Sequence, residues 1–101
     1  MNQSTLDDYL NRFKQYINRD IDILMGKDEK TGNNIFIPYT VISLGILSST
    51  KVTDEVLIFD QYVILKDKVT NNEITKNIQS VVDYFEKPAI GNKPKKTYLT
   101  P

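Results

Sequence analysis

The sequence predicts an α+β domain: a small antiparallel sheet of three to four strands, flanked on one face by an N-terminal and a C-terminal amphipathic helix. Two long segments, 35–47 and 55–66, carry apolar side chains at alternating positions on both faces, as strands do. Helical spacing of apolar residues occurs before and after them. The link at 48–54 is short and polar, which favours antiparallel pairing of the two strands.

A single domain is expected because the chain has only 101 residues. We place the α+β domain at 1–87 and an extended C-terminal tail at 88–101, which contains three prolines and no acidic residue. The 13 basic and 13 acidic residues cancel, so there is no long-range attraction to nucleic acid or to anionic lipid. The start of the chain lacks the features of a signal peptide, and no apolar run has the ~20 residues of a membrane helix. We therefore expect an intracellular protein.

The first helix is expected over 5–19, with Ser4 as its N-cap. An apolar stripe at three- and four-residue steps defines it: Leu6, Tyr9, Leu10, Phe13, Tyr16 and Ile17. Two interpretations of the next segment remain open. The helix continues to Met25 and stops at Gly26, or residues 21–26 form a short strand that a polar hairpin loop at 27–32 joins to the next strand.

Irregularities are expected within the two long strands. Pro38 cannot donate a backbone hydrogen bond, which places it at an edge or a bulge, and Gly45 indicates a further bend or a close backbone approach. In the second strand Val56, Ile58, Tyr62 and Ile64 share one face, and Leu57, Phe59, Val63 and Leu65 share the other. Asp60 and Gln61 interrupt both series and predict a bulge there or two collinear short strands.

The second helix is expected to begin at 70–73, where Thr70 and Glu73 have the spacing of a capping box. Its apolar stripe would be Ile74, Ile78, Val81, Val82 and Phe85, and Pro88 would end it. Beyond it, the extended tail carries a possible short strand at 96–99. The tail combines several lysines with the aromatic Tyr98, a combination that is common in segments that bind nucleic acid. A solubilising C-terminus explains these residues better, and we expect no sequence-specific binding of nucleic acid.

No residue pattern indicates catalysis, a metal or a cofactor. The chain has neither Cys nor His, which removes thiolate ligands and the commonest general base. Neighbouring carboxylates occur at four places, and each lies in a predicted loop or at a helix end, where solvated surface is the simplest interpretation. An EF-hand loop begun at Asp20 would put Met25 where that motif requires glycine. We expect no enzyme.

With this order of elements, the chain resembles the tail terminator or tail-completion proteins of tailed bacteriophages and phage-tail-like particles. The resemblance rests on Ile37-Pro38-Tyr39-Thr40-Val41-Ile42-Ser43-Leu44-Gly45, a strand in which a Pro-Tyr pair leads into aliphatic residues and a glycine. It implies a homo-oligomeric ring that links the tail tube to the head connector, with other virion structural proteins as partners. It also implies the bacterial cytoplasm during assembly, and then the virion, as the location.

Assembly is expected independently of that resemblance. A sheet that is apolar on both faces needs two covers, and two helices supply one. The candidate interface residues are Phe36, Tyr39, Ile42, Leu57, Phe59, Tyr62, Val63, Tyr98 and Leu99. The alternative is a small intracellular binding or inhibitor protein that occludes a bacterial protein. A metal-dependent hydrolase built on Asp20 and Asp22 ranks behind both.

Overall fold

A computed structural model describes residues 1–87. It confirms the predicted α+β fold, with an N-terminal helix, a four-stranded sheet and a C-terminal helix. The elements are helix α1 (Gln3–Phe13), a 3₁₀ turn (Lys14–Tyr16), strands β1 (Asp20–Lys27), β2 (Asn34–Thr53), β3 (Val56–Asp67) and β4 (Glu73–Asn77), and helix α2 (Ile78–Glu86). The predicted C-terminal tail at 88–101, with Tyr98, Leu99 and the possible strand at 96–99, lies outside the described residues. Within 1–87, no helix is long and apolar enough to cross a membrane.

The described strands form one antiparallel sheet in the order β1-β2-β3-β4. Both helices pack on the same face of this sheet, here called the first face, as predicted. Alternate strand residues and the helix stripes meet there in a single core: Phe13, Tyr16, Ile21, Ile23, Tyr39, Val41, Val63, Leu65, Ile78, Val81 and Val82. Burial of these aliphatic and aromatic side chains is the main stabilising contribution to the fold.

Helix α1 is shorter than predicted and begins with a different cap. The Asn2 side chain, rather than that of Ser4, accepts the N–H of Thr5 at 2.8 Å. The helix gives way to the 3₁₀ turn after Phe13, and Asn18 then adopts a left-handed conformation with φ of 69°. Asparagine tolerates that conformation better than most residues do, so the chain can turn there into β1. The strand interpretation of residues 21–26 is therefore correct.

Strand β1 joins β2 through the predicted polar hairpin loop. Asp28 organises this loop, because its carbonyl accepts the N–H of Gly32 and its carboxylate accepts the N–H of Lys30, both at 2.8 Å. Gly32 has φ of 72°, which glycine adopts without steric cost. Pro38 pairs with Asp22 of β1 and lies one residue before the β3 pairing begins at Tyr39. Its missing N–H therefore interrupts no bond to β3.

The hairpin between β2 and β3 is longer than predicted. The polar segment 48–54 was expected to be a loop, but pairing continues through Ser48, Ser49, Thr50 and Lys51 as far as Thr53 opposite Val56. Only Asp54 and Glu55 form the turn. Serine and threonine are compatible with a solvent-exposed strand, so their polarity did not distinguish a strand from a loop.

The predicted bulge at Asp60 and Gln61 lies instead on the opposite strand. β3 is continuous, and each register shift between the two strands places an extra residue on β2. Buried Gln61 supports one such bulge, because its Nε2 donates to the carbonyl oxygens of Gly45 (3.1 Å) and Tyr62 (2.8 Å). A Cβ on Gly45 would lie 3.3 Å from Cγ1 of Ile64, so the close backbone approach predicted as one of two alternatives at this glycine is confirmed.

The second helix starts five residues later than predicted. Residues 73–77 form β4, which pairs with residues 62–66 of β3, and the side chain of Asn77 caps α2 by accepting the N–H of Gln79 at 2.9 Å. The Thr70–Glu73 pattern therefore does not begin a helix. Ile74 packs against the core from β4, whereas the remaining members of the predicted stripe do so from α2. Sheet pairing has overridden the local capping signal.

Candidate assembly surface

A two-stranded arm, defined here as residues 44–60, projects beyond the rest of the sheet. Residue pairing between β1 and β2 ends at Thr40, and β4 pairs with β3 only from Tyr62 onwards. Residues 44–60 therefore have neighbouring strands only within the hairpin. The one described exception is Met1, whose backbone exchanges hydrogen bonds of 2.7 and 2.8 Å with Phe59 near the base of the arm.

The arm carries most of the exposed apolar side chains of the described residues. Eleven large hydrophobic residues are exposed, and seven of them lie in the arm: Leu44, Ile46, Leu47, Val52, Val56, Leu57 and Ile58. Ile46 is the most exposed of these, at 73%. Such clustering differs from the scattered exposed leucines and valines of ordinary protein surfaces and is typical of an interaction site.

Exposed apolar side chains occur on both faces of the arm, beside polar ones. Leu57 pairs with Lys51 and shares the side of Leu65 and Val63, whereas Ile58 pairs with Thr50 and shares the side of Tyr62. A two-stranded hairpin in water is only marginally stable by itself, because neither face is covered. Association would remove the seven exposed apolar side chains of the arm from water.

The second face of the sheet, which no described helix covers, is mixed rather than uniformly apolar. Its central side chains are half-buried Phe36, Tyr62 and Ile64, and Leu24 pairs with Phe36 across β1 and β2. Charged and polar side chains surround them: Asp20, Asp22, Thr40, Lys66, Glu73 and Thr75. The exposed apolar surface expected for this sheet is therefore found more in the arm than on the second face.

The structure separates the predicted interface residues into distinct places. Phe36 and Tyr62 lie on the second face, Leu57 and half-buried Phe59 belong to the arm, and half-buried Ile42 stands at a register shift of β2. Two others belong to the buried core cluster, Tyr39 and Val63, and of these Tyr39 also lines a groove, which is described below.

Sequence reasoning missed the other half of the arm. Ile46, Leu47 and Val52 are exposed on β2, yet they were assigned to a strand end or to a polar loop. The available signal was the continuation of β-branched residues through Thr50, Val52 and Thr53, which favours strand.

A groove of about 240 Å³ lies away from the arm, with lining residues from β1, β2 and β4. Its lining residues are Ile23, Met25, Tyr39, Ile74, Thr75 and Lys76. Met25 is the residue displaced by the register shift between Leu24 and Gly26, and it is exposed at the groove. Among the lining residues within 1–87, Lys76 is the charged one.

The two helices are joined by a charged network around Glu86. Arg12 donates to Oε1 of Glu86 through Nε (2.9 Å) and through Nη2, and it donates to Asp8 at 2.8 Å. The Tyr16 hydroxyl donates to Oε2 of Glu86 at 2.6 Å, and its ring stacks on Phe85 at 4.5 Å between centroids.

These contacts shift the ionisation of the groups involved. The hydrogen bonds from Arg12 and then from Tyr16 lower the pKa of Glu86. Burial, reinforced by the hydrogen bond to Glu86, raises the pKa of Tyr16 to about 12. The bonds from Arg12 and Tyr16 to Glu86 hold α1 and the 3₁₀ turn against α2, whereas the bond from Arg12 to Asp8 lies within α1.

The remaining perturbed carboxylates also have structural partners. Asp67 accepts the backbone N–H groups of Val69 (2.7 Å) and Thr70 (3.1 Å), which lowers its pKa and fixes the turn into β4. Asp20 accepts from Lys68 at 2.7 Å, which lowers its pKa as well. Asp22 belongs to the same strand, but within residues 1–87 no three acidic side chains converge as a metal site would require.

Comparisons with protein-family models, with curated proteins and with solved structures found no match to this chain.

Proposed function

We propose that this chain is a non-enzymatic structural assembly protein of a phage tail or neck: a subunit of a homo-oligomeric, tail-terminator-like ring that links the tail tube to the head connector. Its partners are copies of itself and other virion structural proteins. It acts in the bacterial cytoplasm during assembly and then remains in the virion or in a phage-tail-like particle.

The observation that carries the assembly part of this proposal is the arm. Seven exposed aliphatic side chains within residues 44–60 occupy both sides of a hairpin that has no other strand beside it. Covering them on association removes apolar area from water, at about 25 cal/mol per Å². An assembly protein uses such a surface, whereas a catalyst needs convergent polar groups in a pocket.

The phage assignment rests on the resemblance of the strand at 37–45. In the fold this strand is the middle of β2, and it leads directly into the arm. Tyr39 anchors it in the core, and Gly45 allows the close approach to β3 at the start of the arm. The residues behind the resemblance are therefore those that connect the body of the domain to its exposed hairpin.

Electron microscopy of the purified full-length chain tests this proposal. We expect closed rings of uniform diameter, and we expect the same rings to cap isolated tail tubes from the source particle when the two are mixed. Particles without rings that also fail to bind tail tubes would contradict the proposal.

A small binding or inhibitor protein could use the same arm to occlude a bacterial enzyme. That alternative predicts a monomer or dimer that retains one bacterial protein in stoichiometric amount during affinity purification, with no affinity for tail tubes. The two functions therefore give opposite results in the mixing experiment.

A further inference from the structure

We infer that the arm's occupant is a second copy of this chain, and that the tip of one arm enters the groove of the next subunit in a head-to-tail contact. The tip is defined as Val52 to Val56, and the groove is the cavity lined by Ile23, Met25 and Ile74 described above. This inference rests on the proposed function, because it names the contact that would build the oligomer.

The size and chemistry of the groove favour apolar side chains as its ligand. Its volume of about 240 Å³ lies below the ~300–1,000 Å³ that is common for small-molecule sites. The apolar part of the wall comes from Ile23, Met25 and Ile74, and Tyr39, Thr75 and Lys76 add polar groups to the lining. A hairpin tip that presents valines suits such a groove.

The tip cannot reach the groove of its own molecule. Tyr39, which lines the groove, and Thr53, at the tip, belong to the same continuous strand and are 14 residues apart. At ~3.3 Å per residue, that separation is roughly 45 Å, less the shortening caused by the bulges. The long axis of the molecule is 53 Å. A tip and a groove at opposite ends can meet only between two molecules.

Charge complementarity supports the same pairing. The turn of the arm carries Asp54 and Glu55, whereas the groove's charged lining residue is Lys76. Lys51 lies 3.5 Å from Asp54, so the tip retains one net negative charge. The chain as a whole is neutral, and two copies therefore approach without net repulsion.

A head-to-tail contact also has a consequence for assembly. The tip and the groove are different surfaces, so each subunit keeps one free tip and one free groove after it pairs. Heterologous contacts of this kind produce a ring if the rotation between neighbours closes and a filament if it does not. Two identical arms packing against each other would instead stop at a dimer.

Cysteine cross-linking between two single variants tests the inference, because the chain has no cysteine of its own. Met25→Cys and Val56→Cys are both at exposed positions, one in the groove and one at the tip. Mixing the two under mild oxidation should yield a disulfide-linked dimer that neither variant forms alone, since the bond requires Cβ atoms about 3.5–4.5 Å apart. Val52→Cys serves as a second tip position in case the register differs.

The matched control is Val69→Cys, which is also exposed but lies in the turn before β4. Its dimer with Met25→Cys should be several-fold less abundant. Far-UV circular dichroism and the light-scattering mass of each variant before oxidation should equal those of the wild type.

The other outcomes are distinguishable. A disulfide-linked dimer of Val56→Cys with itself, without a mixed dimer between Val56→Cys and Met25→Cys, would show that arms pair with arms. That result would overturn this inference while the proposed function stands. An intrachain bond in a Met25→Cys, Tyr98→Cys double variant would show that the chain's own C-terminal segment fills the groove, which also overturns it. A monomer that gives no cross-link would contradict the proposed function as well.

Discussion

At the residue scale, two buried or half-buried polar side chains determine how the elements meet. Glu86 accepts hydrogen bonds from Arg12 and Tyr16 and thereby joins the two helices. Gln61, only 4% exposed, supplies donors to the carbonyls at the β2 bulge. Neither role is visible in the sequence, because Glu86 depends on partners 70 and 74 residues away and Gln61 on a carbonyl 16 residues away.

The Glu86 network predicts a specific acid dependence of stability. Because the pKa of Glu86 is lowered on folding, its contribution is fully present above the ordinary pKa of 4.5 and is lost as the pH falls through the lowered value. Glu86→Gln should unfold with a free energy about 1 kcal/mol lower at pH 7, since hydrogen bonds to a partly exposed charge are weakened by solvent. Urea titrations from pH 7 to pH 3 measure this difference.

The difference between wild type and Glu86→Gln should shrink below about pH 4.5. Asp83→Asn provides the control, because Asp83 lies on the same helix without contacting Arg12 or Tyr16. An acid dependence unchanged by Glu86→Gln would contradict the assigned role.

Gln61→Leu tests the support of the bulge. The substitution conserves approximate size but leaves the carbonyls of Gly45 and Tyr62 without their donor, so unfolding should require about 1–3 kcal/mol less. Denaturant unfolding measures the change. Gln15→Leu, at an exposed position, should alter stability by less than about 0.5 kcal/mol, and an equally small effect of Gln61→Leu would argue against the support.

At the element scale, periodicity predicted the pattern of faces well. The alternation assigned to β3 is the one observed, and the first-face helix stripes at Phe13, Tyr16, Val81 and Val82 form the core. Local signals were less informative at boundaries. The Thr70–Glu73 capping pattern and the polar 48–54 segment are compatible with helix or loop in isolation, and pairing with β3 makes both of them extended.

The exposed surface was predicted less well than the core. The sequence indicates two apolar sides for the long strands, but the helix-covered side includes Tyr39 and Val63, which were expected at the interface. Which apolar residues remain exposed depends on how far the neighbouring strands extend, and that length is set by tertiary pairing with β1 and β4.

Substitution in the arm should separate assembly from folding. Ile46→Ser together with Leu47→Ser removes two exposed aliphatic side chains, so the free energy of unfolding of the subunit should change little. Association should weaken by about 2–3 kcal/mol, on the order of 100-fold in the dissociation constant. Sedimentation velocity over a range of concentrations measures it.

The control for the arm is Val69→Ser, because Val69 is 78% exposed, close to the 73% of Ile46, and lies outside the arm. It should associate like the wild type. Equal weakening by both changes would mean that the arm is not the contact surface.

At the scale of the whole molecule, the arm makes the domain elongated. The radius of gyration is 15.6 Å, whereas about 13 Å is usual for a compact chain of this length. The net charge is zero, and the surface proposed for contact includes seven exposed apolar side chains. A subunit of this shape has two distant ends through which neighbours can connect.

Association should therefore depend little on simple salt. Raising NaCl from about 0.1 M to 1 M shortens the Debye length from ~10 to ~3 Å and would disrupt contacts that depend on exposed charges. Apolar contacts should persist, and ammonium sulfate should strengthen them. Sedimentation equilibrium at the two salt concentrations measures the effect, and dissociation at high salt would indicate that ion pairs dominate the interface.

The most direct test of the central claim, that the apolar arm requires a companion, is the molar mass of the full chain by light scattering across a wide concentration range. The account predicts a mass that is a fixed multiple of 11.7 kDa at high concentration and decreases on dilution or in the Ile46→Ser, Leu47→Ser variant. A constant mass of 11.7 kDa at every concentration would contradict it.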